Sequence, residues 1–427
     1  MVRYGVVWHP MTDNLGDDLQ ALAAMRLMPR VDHVLDGEHL DAPLIGLKED
    51  DRVVTLLSGN VFRRTDRWPP EKHIVPVCVG MHFSQESVWG IPMADTDGAG
   101  LKWLKAFAPI GCRDAQTHEM LRGMGLPVEL NGCLTLTLDS AKKVEKGDYI
   151  CCVDVPQEVE DVLRHAAKPL KTDVRTMTHQ RLGNETDFDR RMQHAQWMVD
   201  TYAGAKMLIT RRLHAAMAGV AVGTPTLLLY HASYEDVTRF APMDGMIRSM
   251  PVEDFVEAVR KEGFPGIWEN PPEVKTWRSR LMSFVNEGMK KAETCAMSPV
   301  SNAEAAEWRM RMLSRMAEQS EKKIRRLEKE RTASLHEKFT QLMREDHVRA
   351  TIGAVLAEKD VPRAIDLVAR KRLLRQLPWY TRPGAVLALL RKKETPPDLA
   401  AELKEELSRI GWPDHTELLE ERYNDNV

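Results

Sequence analysis

The chain has 427 residues, with 60 Lys and Arg against 63 Asp and Glu for a formal net charge of −3, and it is 43% apolar. That length suits about three domains, or two large ones with an appendage. The balanced charge excludes a protein that coats nucleic acid by charge alone, because such binding needs many Lys and Arg contacts to phosphate. Near-average Gly and Pro exclude a collagen-like or wholly disordered chain. Six cysteines without a CxxC pair do not make a disulfide framework. The opening MVRYGVVWHPMTDN lacks a charged-then-apolar leader pattern, and no apolar run approaches the ~18 residues of a membrane span. The expected location is the cytoplasm.

In chain order, short apolar runs alternate with helix-period segments over the first 270 residues. Runs at Tyr4–Trp8, Val53–Leu57, Ile74–Val79, Ile110–Arg113 and Val128–Leu130 read as strands, with helices at Asp18–Leu27 and Ala115–Met124 between them. Continuous apolar runs are what strands look like when helices cover both faces of a parallel sheet. The charged stretch DSAKKVEKGD, Asp139–Asp148, reads as an interdomain linker. A second set follows, with strands at Tyr149–Val155, Thr172–Met177, Met207–Thr210 and Thr226–Tyr230. Its helices are expected at Pro156–Ala167, Asp187–Ala203, Leu213–Val222 and Val252–Glu262. The expected organisation is an N-terminal α/β domain over residues 1–140, a second over 147–270, a helical connection over 271–299 and an all-α extension over 300–427. In that extension Met310, Leu313, Ala317, Ile324 and Leu327 fit a heptad seam that Ser320 and Arg331 interrupt, the pattern of a long helix or short coiled coil. Residues 350–412 read as short amphipathic helices, and the tail from Asp414 is polar.

Four segments could carry chemistry. In TRRLHAAMAGVAVGTP, residues 210–225, a strand leads through a turn into a helix. Arg211, Arg212 and His214 would stand at the strand's carboxyl end and the helix's first turn, where free N–H groups and the dipole favour anions. A guanidinium grips phosphate or carboxylate with two bonds, and an imidazole beside it can donate a proton near neutral pH. The blander alternative is a solvated Arg pair and a core-edge histidine. In HPMTDNLGDDLQALAAMRLMP, residues 9–29, Asn14 and Gly16 suit a tight turn, and Asp17 or Asp18 begins the helix either as an ordinary cap or as a hydroxyl-binding group or base in a cleft. IGCRDAQTHEMLRGMG, residues 110–125, offers Arg113 at a strand end and Asp114 as a helix cap. In LNGCLTLTL, residues 130–138, Asn131 and Gly132 close a strand.

Other motifs are missing. There is no P-loop, no GxGxxG after the first strand, no GxSxG elbow and no HExxH or Cys/His metal set. His73, His82 and His118 lack partners at metal spacing, and His194 and Trp197 read as packing residues of an amphipathic helix. The run KKIRRLEKER, residues 322–331, alternates with Glu and reads as a solvated face, so no nucleic-acid partner is expected.

Taken together, NLGDDLQALA, GCRD, LNGCLTLTL and the stretch AQWMVDTYAGAKMLITRRLHAAMAGVAVGTPTLLL resemble the polysaccharide pyruvyl transferase family over about residues 3–245, with RFAPMDG at 239–245 as a further mark. The resemblance implies two Rossmann-like domains in a GT-B-like arrangement, the first on the acceptor side and the second on the donor side. It implies transfer of the enolpyruvyl group of phosphoenolpyruvate onto two hydroxyls of a saccharide, giving a pyruvate ketal and phosphate, in exopolysaccharide or cell-envelope biosynthesis. By that resemblance Arg212 grips the donor, with Arg211 or Arg113 as a second clamp. His214 binds the phosphate or protonates the methylene carbon, Asp17 or Asp18 orients or deprotonates the acceptor, and Asn14, Gly16 and Asn131 line the substrate site. No metal or other cofactor is implied beyond the donor. The expected partners are a free or lipid-linked saccharide, with peripheral membrane association through a lipid-linked acceptor, and a second copy of the chain through residues 300–427. One departure is LLSGNVFRRTDRW, residues 56–68, where many members carry a glycine-rich loop and this chain has only Gly59, which implies a different acceptor or altered activity. Two other readings stand beside this one: a GT-B-type glycosyltransferase using a sugar nucleotide, with Glu235 or Asp236 on the ribose, and a non-catalytic relative acting as a binding or scaffold protein.

Overall fold

The computed structural model describes residues 1–59, 67–83, 98–141, 143–181, 185–231, 246–263, 266 and 269–344. Asn60–Asp66 of the glycine-poor loop, RFAPMDG at 239–245, Glu235 and Asp236, the helices read over 350–412 and the tail from Asp414 lie outside the described residues.

The first lobe runs β1 (Val2–Trp8), α1 (Leu15–Leu27), β2 (His33–Asp36), β3 (Arg52–Gly59), β4 (Ile74–Met81), α2 (Ala99–Ala106), β5 (Ile110–Cys112), α3 (Ala115–Gly123) and β6 (Val128–Leu130). Its strands lie in the order β2-β1-β3-β4-β5-β6, and every pair is parallel. The central strand β4, IVPVCVGM, is buried along its whole length, as expected of a strand with both faces covered. The second lobe runs β7 (Tyr149–Val153), α4 (Gln157–Ala167), β8 (Asp173–Met177), α5 (Phe188–Gly204), β9 (Met207–Thr210), α6 (Leu213–Ala221), β10 (Thr226–Tyr230), β11 (Arg248–Pro251) and α7 (Val252–Glu262). Its strand order is β11-β10-β9-β7-β8, again all parallel. Counted from its own first strand this is 2-1-3-4-5, the same order with which the first sheet begins. Each sheet therefore reverses direction between its first and third strands, and in open α/β sheets that reversal point is where ligands bind, outside the carboxyl ends.

Two strands escape the sequence reading, β2 and β11. Both are four-residue edge strands with exposed or polar positions (Val34; Arg248 and Ser249), so neither shows the apolar run that marks a central strand. In LNGCLTLTL the strand closes where the sequence places its end. The strand stops at Leu130, Gly132 takes a positive φ of 81°, and Leu134–Thr137 forms a buried 3-10 turn. The Thr137 hydroxyl donates to the Leu134 carbonyl at 2.7 Å. The glycine turn separates this buried alternation of Leu and Thr from the strand.

The two lobes share a hydrophobic core. Leu15, Leu19 and Leu22 of α1 belong to the same buried cluster as Met192, Ala195 and Met198 of α5 and Ala215–Ala218 of α6. A second cluster, with Ile150, Ile209 and Phe255, fills the opposite face of the second sheet. Helix α6 can sit in the centre because it is built of small residues. A Cβ at Gly219 would overlap Leu208, and the helix packs on the 3-10 turn of the first lobe.

After the second lobe the chain returns to the first. In α8 (Glu273–Ala292) Gly288 lies against Val77 of β4, and at the start of α9 (Asn302–Arg344) Trp308 is buried on Gly98 and Gly100. Along α9 the seam residues Met310, Leu313, Ile324 and Leu327 are exposed. By compactness the chain divides into Met1–Ala317, which holds both sheets, and Glu318–Val427.

Candidate functional site

The rim of the second sheet is built across its reversal point, between the ends of β7 and β9. Asp154 follows β7 with φ +49°, a left-handed conformation uncommon for a residue with a side chain. Its Oδ2 accepts the His179 N–H at 2.9 Å and Arg212 Nε at 2.7 Å. Burial works against the Asp154 anion, but bonds from the Thr178 hydroxyl, the His179 N–H and Arg212 outweigh it and hold the carboxyl below its ordinary value. Arg212 is the N-cap residue of α6, and its own N–H donates to the Thr210 hydroxyl at 2.9 Å. Asp154 holds one edge of the guanidinium while the side chain stays 45% exposed. The fork is thereby oriented at a helix N-terminus without being consumed, the arrangement that favours an incoming anion. The neighbouring Arg211 N–H donates to the Val153 carbonyl at 3.3 Å. At the end of β10, His231 pairs with Glu253 at 2.9 Å.

The first lobe meets this rim through the loop between β1 and α1. The Leu15 N–H donates to the His179 carbonyl at 2.7 Å and the Arg181 N–H to the Asp13 carbonyl at 2.6 Å, stitching the loop after β1 to the loop after β8. Asn14 caps α1, its Oδ1 accepting the Gly16 N–H at 3.1 Å. Gly16 lies directly against the imidazole of His214, so that a Cβ there would overlap Nδ1. Asp17, half-buried, accepts the Thr12 hydroxyl at 2.7 Å and Asn14 Nδ2 at 3.3 Å. Asn14, Gly16, Asp17 and His214 are thus brought together from segments some two hundred residues apart.

Asp18 lies elsewhere. Its side chain is 1% exposed and receives Arg191 Nη2 at 2.6 Å, Arg191 Nε at 2.9 Å and Trp8 Nε1 at 3.0 Å. Burial raises its pKa against the opposing pull of Arg191. It is a strut between α1 and α5, with every bond turned inward, and of the two acidic residues expected at the cleft Asp17 is the one with solvent access.

A second group of expected residues sits at the ends of β4, β5 and β6. Arg113 is buried and its N–H donates to the Met81 carbonyl at 2.8 Å. Asn131, fully buried, accepts the Gly80 N–H at 3.2 Å and packs on Gly111; its Nδ2 has no hydrogen-bond partner among the described residues. Asp114 caps α3 as expected, Oδ1 accepting the Thr117 N–H at 2.7 Å. Its Oδ2 also lies 2.6 Å from His82 Nδ1. Burial disfavours the Asp114 anion, yet His82 and the Thr117 N–H hold its pKa below the ordinary value. The sequence reading missed this His–Asp pair. The two residues are 32 apart and become neighbours because Met81 and Cys112 pair across β4 and β5.

A separate recess of about 410 Å³ lies at the start of β4 against α8, lined by Pro76, Phe284 and Lys291 among others. It is at the opposite end of the strands from these groups. Among the described residues no group of three His, Cys, Asp or Glu side chains could hold a metal, and no helix is long and apolar enough to cross a membrane.

Residues 99–233 match the family model described as Polysaccharide pyruvyl transferase. The matched segment contains GCRD, LNGCLTLTL and TRRLH, and over it the resemblance read from the sequence is borne out. No curated protein matches the chain. Among solved structures, a functionally uncharacterised protein of Klebsiella pneumoniae is similar at 13% identity and a TM-score of 0.34, over 56% of this chain and 87% of that one.

Proposed function

We propose that the protein is a transferase that moves the enolpyruvyl group of phosphoenolpyruvate onto two hydroxyls of a saccharide, forming a pyruvate ketal and releasing phosphate. The observation that carries this reading is the meeting of Gly16 with His214, beside an Arg212 that Asp154 has already aimed. It joins the two most distinctive segments of the resemblance at one place, at the start of α6. The two lobes, with their shared strand order, would work in a GT-B-like arrangement with each reversal point toward the crevice.

In this reading Arg212 and the N-terminus of α6 bind the phosphate or carboxylate of the compact, multiply charged donor, with Arg211 or Arg113 as a second cation. His214 as imidazolium delivers a proton to the methylene carbon, so C3 becomes a methyl group and C2 an electrophile. One saccharide hydroxyl adds to C2 and gives its proton to a base. The C2–O bond to phosphate then breaks, and the phosphate leaves with the bonding pair, its charge held by the arginines. The second hydroxyl adds to C2 and loses its proton, closing the ketal. Asp17 orients the acceptor in this reading, and His82, oriented through Nδ1 by Asp114, supplies a second imidazole for proton transfer.

The test is ligand-dependent stabilisation followed by turnover. Phosphoenolpyruvate should raise Tm, since a ligand that binds only the native state stabilises it by mass action. UDP-sugars should leave Tm unchanged. Phosphate release should then depend on added saccharide. Stabilisation by a UDP-sugar and not by phosphoenolpyruvate would replace this reading with a sugar-nucleotide transferase.

A further inference from the structure

A recess of about 720 Å³ opens between β8 and α5, within the range of ~300–1,000 Å³ common to small-molecule sites. The guanidiniums that line it are already engaged, the exposed Arg190 by Glu185 at 3.4 Å. Arg191 is spent on Asp18 and on the Pro10 carbonyl, and Arg181 Nη1 on the carbonyls of Pro10 and Glu185. A nucleotide or other polyanion would need those guanidiniums open.

Beside these charges the recess presents uncharged polar and aromatic groups. Thr176 on the edge strand β8 and Gln180 bring a hydroxyl and an amide from one side, while the Thr178 hydroxyl between them is engaged by Asp154 and the Gln180 N–H. From α5 comes Trp197, a tryptophan 54% exposed, with His194 stacked on it at a centroid distance of 5.3 Å and an interplanar angle of 29°. An indole this exposed loses the burial that normally stabilises it, and its partner imidazole fixes the ring's orientation while leaving it accessible. A flat aromatic face beside hydroxyl and amide groups complements a pyranose, which has an apolar C–H face and a polar hydroxyl edge.

The recess also ends where the proposed chemistry begins. Leu15 lines it, and the next residue, Gly16, touches His214. We infer that the recess between β8 and α5 is a saccharide-binding subsite, with Trp197 as its stacking platform, and that it holds the sugar residues next to the one being modified. Its role as an acceptor subsite rests on the proposed function; its preference for sugars rests on the recess alone. The acceptor is then an oligosaccharide or polymer lying across the second lobe, so the substrate-binding surface is not confined to the first.

The experiment measures binding of neutral gluco-, galacto- and N-acetylglucosamine-based tetrasaccharides to the full chain, without donor, by saturation-transfer NMR and calorimetry. At least one should bind, with magnetisation transfer strongest at the C–H protons of an internal sugar. W197A should weaken it about tenfold and Trp197→Phe less, the effect of removing or shrinking one stacked ring. Thr176→Trp, which fills the recess from an exposed strand position, should block binding without touching α5. The Tm shift with phosphoenolpyruvate should survive all three variants. No binding across the panel, or an unchanged affinity in both W197A and Thr176→Trp, overturns the subsite. Saccharide binding without any phosphoenolpyruvate shift in the wild type would leave the subsite standing and remove the transferase reading.

Discussion

Two Arg–Asp pairs lie close to the junction of the lobes, and they differ in almost every respect except chemistry. Arg191 and Asp18 are 3% and 1% exposed, bonded through two guanidinium nitrogens, and join α5 to α1. Arg212 and Asp154 are 45% and 19% exposed, bonded through one nitrogen, and lie at the ends of adjacent strands. In the first pair both partners are fully used and shielded, so the pair fixes how the lobes meet. In the second the carboxylate has taken one edge of the guanidinium and left the rest toward solvent, so the pair aims a cation. Burial, and not residue type, separates the strut from the exposed, oriented cation.

The largest expected effect tests the strut. Asp18→Asn leaves Arg191 buried without a counter-charge and should cost about 3–5 kcal/mol, read as a lowered urea midpoint at unchanged m-value. Asp17→Asn, one residue away but only partly buried, should cost under ~1 kcal/mol. A similar loss for the two would erase the distinction.

Next in size is a pH effect at the same junction. Burial lowers the pKa of His179 from 6.5 to about 4. The unfolded chain therefore takes up this proton first as pH falls, and the stability held above pH 6.5 is lost progressively down to about pH 4. The loss is at most about 3 kcal/mol. Its onset precedes that of most carboxylates, so His179→Gln should flatten the stability curve between about pH 6.5 and pH 5, as read by urea titrations across that interval. A curve of unchanged slope would mean that the buried imidazole does not set it.

Gly16→Ala comes third. The added methyl group has nowhere to go but into the His214 ring, at a cost of about 1–3 kcal/mol for overpacking, and it should displace the imidazole from the proposed donor site. Loss of turnover with donor binding retained is the expected split. Smallest in stability is Arg212→Ala, within ~1 kcal/mol of wild type because the pair is half-exposed. Yet it should abolish the Tm shift with phosphoenolpyruvate. A surviving shift would remove Arg212 from the site.

Central strands were legible as uninterrupted apolar runs, and one helix start as the cap Asp114; Asn14, read as a turn residue, and Asp187, read as the first residue of its helix, are side-chain caps as well. The segments that cluster around α6 were also legible, because a strand, a pair of arginines and a small-residue helix follow in order. What stayed hidden depended on partners distant in sequence. His82 looked isolated because Asp114 joins it only through strand pairing. Trp197 looked like packing because helical periodicity places it on a face without saying what covers that face. Asp17 and Asp18 were interchangeable in the sequence, and only the position of Arg191 on another helix separates them.

By itself the sequence determined two successive α/β units and the kind of chemistry that TRRLH and NLGDD can carry, because strand burial, helix caps and helix-terminal charge are local properties of consecutive residues. The tertiary structure alone decided which carboxylate is locked away and which arginine is aimed. It also decided that Gly16 faces His214, because burial and contact between residues this far apart arise only when the lobes close on a common core.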